Sequence, residues 1–309
     1  MAHEDLKAAL RGVGFTVPTP FTEDAEDVAY EHLRSHARWL EDAGAGIIIP
    51  CGNSGEYYSL TDEERTTVVA ETVDALSEDT VVIAGVGGSL HHARNLARAY
   101  AEASADGIMV MDPDHTYVHA EGLYAYYEGI ASATDLGVVL YKRSDLLSRE
   151  LVARLAEVEN VVGLKFAVND IDAFSAVAGR VGDDLVLTTG IAERFAPAFA
   201  LEGAEGFTTG IGGFAPGASL ALMDALEAED WARARRIRDR IRPFEDLRGE
   251  TGANNPHPAA NNVPAVKYGL ELAGHYGGPV RPPLVGLTDE DERRAEEYYH
   301  ELADIDPAE

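Results

Sequence analysis

The sequence predicts an α/β protein: a (β/α)8 barrel of the TIM-barrel type, followed by a helical C-terminal extension. Short apolar runs recur eight times, at 12–16, 46–51, 81–86, 107–111, 137–141, 161–166, 185–189 and 206–210, each with a Gly, Pro or polar residue at its end. They are mostly continuous Val, Ile and Leu rather than alternating, as strands covered on both faces should be. Amphipathic stretches usually separate them, and beyond about residue 215 helical patterns continue without strands. A doubly wound open sheet is the alternative. It would lead one to expect a Gly-rich phosphate turn after the first run, where Pro18-Thr19-Pro20 stands instead.

Between the first two runs, Ala29, Leu33, Ala37 and Leu40 keep helical spacing and Gly44 stops the helix. After the second, Thr61-Asp62-Glu63-Glu64 reads as a capping box, its Thr hydroxyl and Glu carboxylate satisfying orphan amides at a helix start. Val68, Val69, Val73 and Leu76 then continue at helical spacing. The barrel is assigned to residues 1–215 and the extension to 216–309. Within the extension, 218–240 is helical in composition, 251–264 is a polar loop heavy in Asn and Pro, and two more helices follow. Thr288 caps the last of them, with Asp291 three residues on.

At 309 residues and 46% hydrophobic, the chain can bury a full-sized core. Its 54 acidic against 25 basic residues give a formal charge of −29, which argues against nucleic acid and anionic membranes as partners. Only four of the basic residues are lysine. Low Lys with acids spread over helix faces suggests a halophilic protein in a salt-rich cytoplasm, where the charge is screened. A disordered acidic tail would mass the acids in one block. The single cysteine, Cys51, lies in an apolar segment, forms no internal disulfide and belongs to no metal motif. The acidic start, Met1-Ala2-His3-Glu4-Asp5, leads into no apolar stretch of signal or membrane length, so a cytoplasmic location is expected.

Lys165 is the most informative residue. It sits in Val161-Val162-Gly163-Leu164-Lys165-Phe166-Ala167, an otherwise apolar strand, in a chain that prefers arginine. Burial lowers an ammonium's pKa and frees the nucleophilic amine, as a Schiff-base lysine requires and an arginine cannot provide. The bland alternative is a stem packed on the strand with its head in water or on a carboxylate. Tyr141 ends the fifth run, and Gly52-Asn53-Ser54-Gly55-Glu56 follows the second. In a barrel all three features share the rim that carries the chemistry. Two glycines bracketing a hydroxyl suggest a tight turn whose amides hold a carboxylate. Amine, phenol and nest together suit a 2-oxo acid. Taken singly, Tyr141 could be packing, the Gly-rich turn only a turn, and Glu56 a solvated surface group.

These residues resemble the dihydrodipicolinate synthase / N-acetylneuraminate lyase superfamily over about residues 12–287. The markers are Thr19-Pro20-Phe21, Gly52-Asn53-Ser54-Gly55-Glu56, Tyr141, Gly163-Leu164-Lys165 and Asn262-Val263-Pro264-Ala265-Val266-Lys267. The resemblance implies Lys165 as Schiff-base former, Tyr141 as proton shuttle, and Ser54 with the Gly55 amide on the substrate carboxylate. It implies a covalent imine in place of any cofactor or metal, and a homotetramer. Lys267 matches a helix position with no catalytic role. Asn53, Arg143 and Thr208 complete the candidate substrate-binding set, Arg143 as a bidentate grip on a distal carboxylate or, failing that, as a surface ion pair.

Dihydrodipicolinate synthases carry Pro-Tyr-Tyr where Pro113-Asp114-His115 stands, and an arginine where Leu146 stands. Both differences speak against that activity. Tyr141-Lys142-Arg143, Glu56-Tyr57-Tyr58-Ser59-Leu60 and Gly278-Pro279-Val280-Arg281-Pro282-Pro283-Leu284 are similar to the 5-dehydro-4-deoxyglucarate dehydratase branch. Lys142 and Asn53-Ser54 depart from that branch and leave 2-dehydro-3-deoxy-pentonate or -hexonate acids open. The expected activity is dehydration of a 2-oxo-3-deoxy sugar acid. The alternatives are a pyruvate-releasing aldolase, a dihydrodipicolinate synthase, and a catalytically silent binding protein for 2-oxo acids.

Overall fold

The apolar runs form parallel strands that close into a ring in the computed structural model, which describes residues 3–303 and residue 305. The first half runs α1 (Glu4–Leu10), β1 (Val13–Thr16), α2 (Tyr30–Asp42), β2 (Ile47–Ile49), α3 (Asp62–Ala75), β3 (Val81–Val86), α4 (Leu90–Glu102) and β4 (Gly107–Val110). The second continues with α5 (Ala120–Ala131), β5 (Gly137–Lys142), α6 (Arg149–Leu155), β6 (Val161–Phe166), α7 (Ile171–Val181), β7 (Val186–Thr189), α8 (Ala192–Leu201) and β8 (Gly206–Thr209). Then come α9 (Pro216–Glu227), α10 (Trp231–Gly249), α11 (Asn262–Leu272) and α12 (Asp289–Ala303). β1 pairs with β8, Gly14 in register with Thr208, which rules out the open sheet.

Strands β4 to β8 are buried along their whole length, which explains their unbroken apolar sequence. The helices bury one stripe each: α4 turns Ala93, Leu96, Ala97 and Tyr100 inward. A leucine such as Leu96 contributes roughly 1.5–3 kcal/mol when fully buried. Thr61 and Glu64 form the expected capping box at the start of α3. Leu33, Ala37 and Leu40 are buried on α2, and Gly44, at φ +99°, follows its end.

Two features lie outside the sequence expectation. Helix α1 plugs the N-terminal end of the barrel with Leu6 and Leu10, both buried. A Cβ on Gly137 would stand 2.3 Å from Leu6 Cδ2, and one on Gly163 would stand 3.0 Å from Leu10 Cδ1. The glycines therefore make room for the plug. Two leucines in seven residues are too little periodicity to announce a helix.

The helical stretch 218–240 is broken between α9 and α10. Glu229 takes a left-handed φ of +54°, and Asp230 caps α10 by accepting from Arg233 N at 2.9 Å. No Gly or Pro marks this break. Helix α10 packs against α8, α9 and α12, which carries its C-terminal end, with the start of α11, over the mouth of the barrel. No helix among the described residues is long and apolar enough to cross a membrane.

Candidate active site

The C-terminal ends of the strands surround a cavity of about 420 Å³, open to solvent. Lys165 and Tyr141 are register partners on β6 and β5, so their side chains project from adjacent strands on the same face. Lys165 Nζ lies 4.3 Å from the Tyr141 ring centroid, and the residue is only 6% exposed. Burial first, and then the charge of Arg143, hold its pKa down at about 7. A substantial share of the amine is thus unprotonated near neutrality. Gly190, at the end of β7, leaves the space the lysine stem occupies.

Tyr141 is also buried. Desolvation raises its phenol, with the Arg143 charge opposing, so it keeps its proton at neutral pH. Its Oη accepts from Asn53 Nδ2 at 3.2 Å. Arg143 is exposed; its guanidinium lies 5.8 Å from the Tyr141 ring centroid and 3.5 Å from Asn53 Oδ1. No carboxylate pairs with it among the described residues.

Asn53, Ser54, Thr16 and Thr208 line the cavity; Gly55 is packed behind them. The turn is tight, but its left-handed residues are Cys51 (φ +55°) and Glu56 (φ +53°), not the glycines. Gly55 is needed for closeness instead: a Cβ there would stand 3.0 Å from Cys51 N and 3.1 Å from Val17 O. Ser54 Oγ lies 3.3 Å from Thr16 Oγ1, which donates to Thr209 O at 2.6 Å. Neither the Ser54 nor the Gly55 amide has an acceptor among the described residues.

Glu56 is not the solvated group its surroundings in the sequence suggest. Its side chain is fully buried and paired with Lys267 of α11 at 2.6 Å. Lys267 also donates to Pro279 O at 2.6 Å, and Glu56 accepts from Arg281 N at 3.0 Å. The pair ties the loop after β2 to the extension. Lys142 turns away from the cavity and donates to Ser144 O at 2.6 Å and Leu147 O at 2.8 Å, bracing the loop after β5. His115 is exposed and accepts from Tyr117 N at 3.0 Å. Cys51 is buried, its thiol pushed up to about 12 by desolvation, and therefore inert. Among the described residues no group of three or more His, Cys, Asp or Glu could hold a metal ion.

Thr16, Thr209, Gly190 and Arg248 also line the cavity and carried no mark in the sequence. Arg248 in particular belongs to the Arg-rich helix α10, where neighbouring arginines hide it.

Residues 9–301 match the dihydrodipicolinate synthetase family. A relative from Saccharopolyspora erythraea named "probable 5-dehydro-4-deoxyglucarate dehydratase" is 35% identical over 87% of this chain and 87% of its own. One from Rhizobium meliloti with the same name is 33% identical, covering 94% of this chain and 96% of its own. The crystal structure of dihydrodipicolinate synthase from Bacillus clausii superposes with a TM-score of 0.90 at 33% identity, over 96% of this chain and 98% of that one. The closed barrel, the paired Lys165 and Tyr141 and the match over nearly the whole length lead to one conclusion: the chain belongs to the dihydrodipicolinate synthetase family.

Proposed function

We propose that the protein is a hydro-lyase that dehydrates a 2-oxo-3-deoxy sugar acid through an imine on Lys165, with 5-dehydro-4-deoxyglucarate as substrate. The carrying observation is the buried, partly neutral amine 4.3 Å from the ring centroid of a phenol that keeps its proton. Amine and acid are both in the protonation state the reaction needs.

Lys165 Nζ attacks the ketone carbon, and loss of water leaves an iminium. That cation acidifies the adjacent methylene; removal of its proton gives an enamine, whose electrons expel the C4 hydroxyl. Tyr141 supplies the proton with which this hydroxyl leaves as water. The distal carboxylate then departs as carbon dioxide, its bonding pair flowing back through the conjugated system to the iminium nitrogen. Reprotonation and hydrolysis release 2,5-dioxopentanoate and regenerate the amine. One diacid thus gives one dioxo acid, one carbon dioxide and, net, one water.

The carboxylate beside the ketone is assigned to the Ser54 hydroxyl and the Gly55 amide. Their support is that the Ser54 and Gly55 amides have no acceptor among the described residues. Asn53 orients the phenol, and Thr208 lines the cavity. Arg143 contributes charge at the reacting end, where it depresses Lys165 and attracts an anionic substrate. The same reading includes a homotetramer in a salt-rich cytoplasm. Its support is the charge of −29 and the exposure of Tyr117 (83%) and Val118 (46%) in the loop after β4.

Borohydride added with substrate should trap an adduct on Lys165, and Lys165→Ala should abolish both trapping and turnover. Tyr141→Phe should still be trapped while kcat falls by about 10²-fold or more. Trapping at another residue, or an active Lys165→Ala, defeats the reading. Pyruvate among the products selects an aldolase in its place, and no trapping at all leaves a binding protein.

A further inference from the structure

We propose that Arg248 forms a second anion subsite in the barrel mouth, which takes the distal carboxylate of a dicarboxylic 2-oxo acid and makes the site select diacids over monoacids. The inference rests on the imine-forming reading of Lys165 above and adds to it a residue that decides specificity.

Helix α10 brings Arg248 from the extension over the end of β8, into the wall of the cavity that holds Lys165. The residue is 8% exposed. Its Nη2 donates to Asn262 Oδ1 at 3.2 Å, and its Nε has no acceptor among the described residues. A guanidinium remains charged in a protein, and burying one without an ionised partner is costly. Two carboxyls, Glu245 and Glu193, lie near enough for their charge to act on Arg248. Glu193, with no exposure, accepts from Ser219 Oγ at 2.5 Å and from Thr209 Oγ1. Burial, and then the charge of Glu193, push the Glu245 carboxyl well above the usual range, with the charge of Arg248 opposing. Neither makes an ion pair with Arg248 among the described residues.

The backbone also makes room for this guanidinium. A Cβ on Gly210, just past β8, would stand 2.5 Å from Arg248 Nη2 and 2.9 Å from Cζ. Gly190 does the same for Lys165 at the end of β7. Neighbouring strand ends thus seat two cations in one cavity: a partly neutral amine for the ketone, and a permanently charged fork whose geometry matches a carboxylate. Arg143 does not occupy this place, because it lies over the Tyr141 ring beside the reacting end. With the first carboxylate at Ser54 and the ketone at Lys165, the far end of the substrate falls to Arg248.

Two acids that form imines but carry no C4 hydroxyl isolate this contact: 2-oxoadipate and its monocarboxylic counterpart 2-oxohexanoate. Borohydride labelling of Lys165 by each is followed by mass spectrometry as a function of acid concentration. In the intact protein 2-oxoadipate should reach half-labelling at about a tenfold or lower concentration. Arg248→Gln should remove that preference while 2-oxohexanoate labels Lys165 as before. Gly210→Ala, which keeps the arginine but displaces its guanidinium, should do the same and guards against misfolding of the first variant. The subsite is overturned if the intact protein shows no preference, if both variants retain it, or if labelling by the two acids weakens equally. It is overturned as well if Arg143→Gln removes the preference and Arg248→Gln does not. Absence of Lys165 labelling by either acid is a distinct result: it defeats the imine reading itself.

Discussion

Gly190 and Lys165 fit together at the mouth of the barrel: a Cβ on the glycine would stand 2.7 Å from Cε and 3.0 Å from Cγ of the lysine. The missing side chain at the end of β7 lets the lysine stem lie flat, which carries its nitrogen to the Tyr141 ring. The amine's position is thus set by a residue with no functional group of its own.

Gly190→Ala should therefore impair catalysis without removing any reacting atom. We expect kcat/KM and the rate of borohydride labelling to fall by about 10²-fold, the scale of a misplacement near 1 Å. Circular dichroism should show an unchanged barrel. Normal labelling in this variant would mean that the lysine stem does not use this space.

The rate of imine formation should follow the neutral fraction of Lys165. With its pKa near 7, the single-turnover rate should rise about tenfold per unit below that pH and level off above it. Arg143 is the second cause of the depression, so Arg143→Gln should move the midpoint upward, toward the ordinary lysine value. A midpoint unmoved by that change would remove Arg143 from the electrostatics of the site.

Lys165→Met should be inactive yet more stable. The lysine's pKa falls from 10.5 in the unfolded chain to about 7 when folded, so between these values the unfolded chain binds more protons. The lysine therefore costs stability in full below pH 7, less as pH rises, and nothing above about 10.5. Removing it should stabilise by about 4 kcal/mol at neutral pH, with a gain that shrinks toward high pH. Denaturant melts across that pH range test the sign directly.

The Glu56–Lys267 pair behaves differently, because each charge is buried against the other at 2.6 Å. Breaking it from one side, with Glu56→Gln or Lys267→Met, should cost about 3–5 kcal/mol by stranding the remaining charge. The double variant should recover part of that loss, which a double-mutant cycle in urea would report as a favourable coupling. Strictly additive losses would show that the two residues act independently.

Raising potassium chloride from about 0.1 M to about 2 M should raise Tm, because screening relieves repulsion among surface acids. A net charge of −29 makes this effect larger than for a balanced surface. A Tm that falls with salt would count against adaptation to a salt-rich interior.

The barrel was legible because its signals are local. Each strand is a continuous apolar run, and the Thr61–Glu64 box announces α3 within four residues. Lys165 and Tyr141 stood out because a titratable group at the end of an apolar strand is out of place whatever surrounds it. The α1 plug, the break at Glu229 and the burial of Glu56 were not legible. Nor was the place of Arg248, one of many arginines, against the end of β8. The succession of barrel strands and the singularity of Lys165 are thus determined by the sequence alone, since spacing and polarity are properties of neighbours in the chain. Which acids and bases are buried, paired or left facing the cavity was decided by the tertiary structure. Desolvation and Coulomb energy depend on distances in space, and Glu56 meets its lysine only when α11 closes over the barrel.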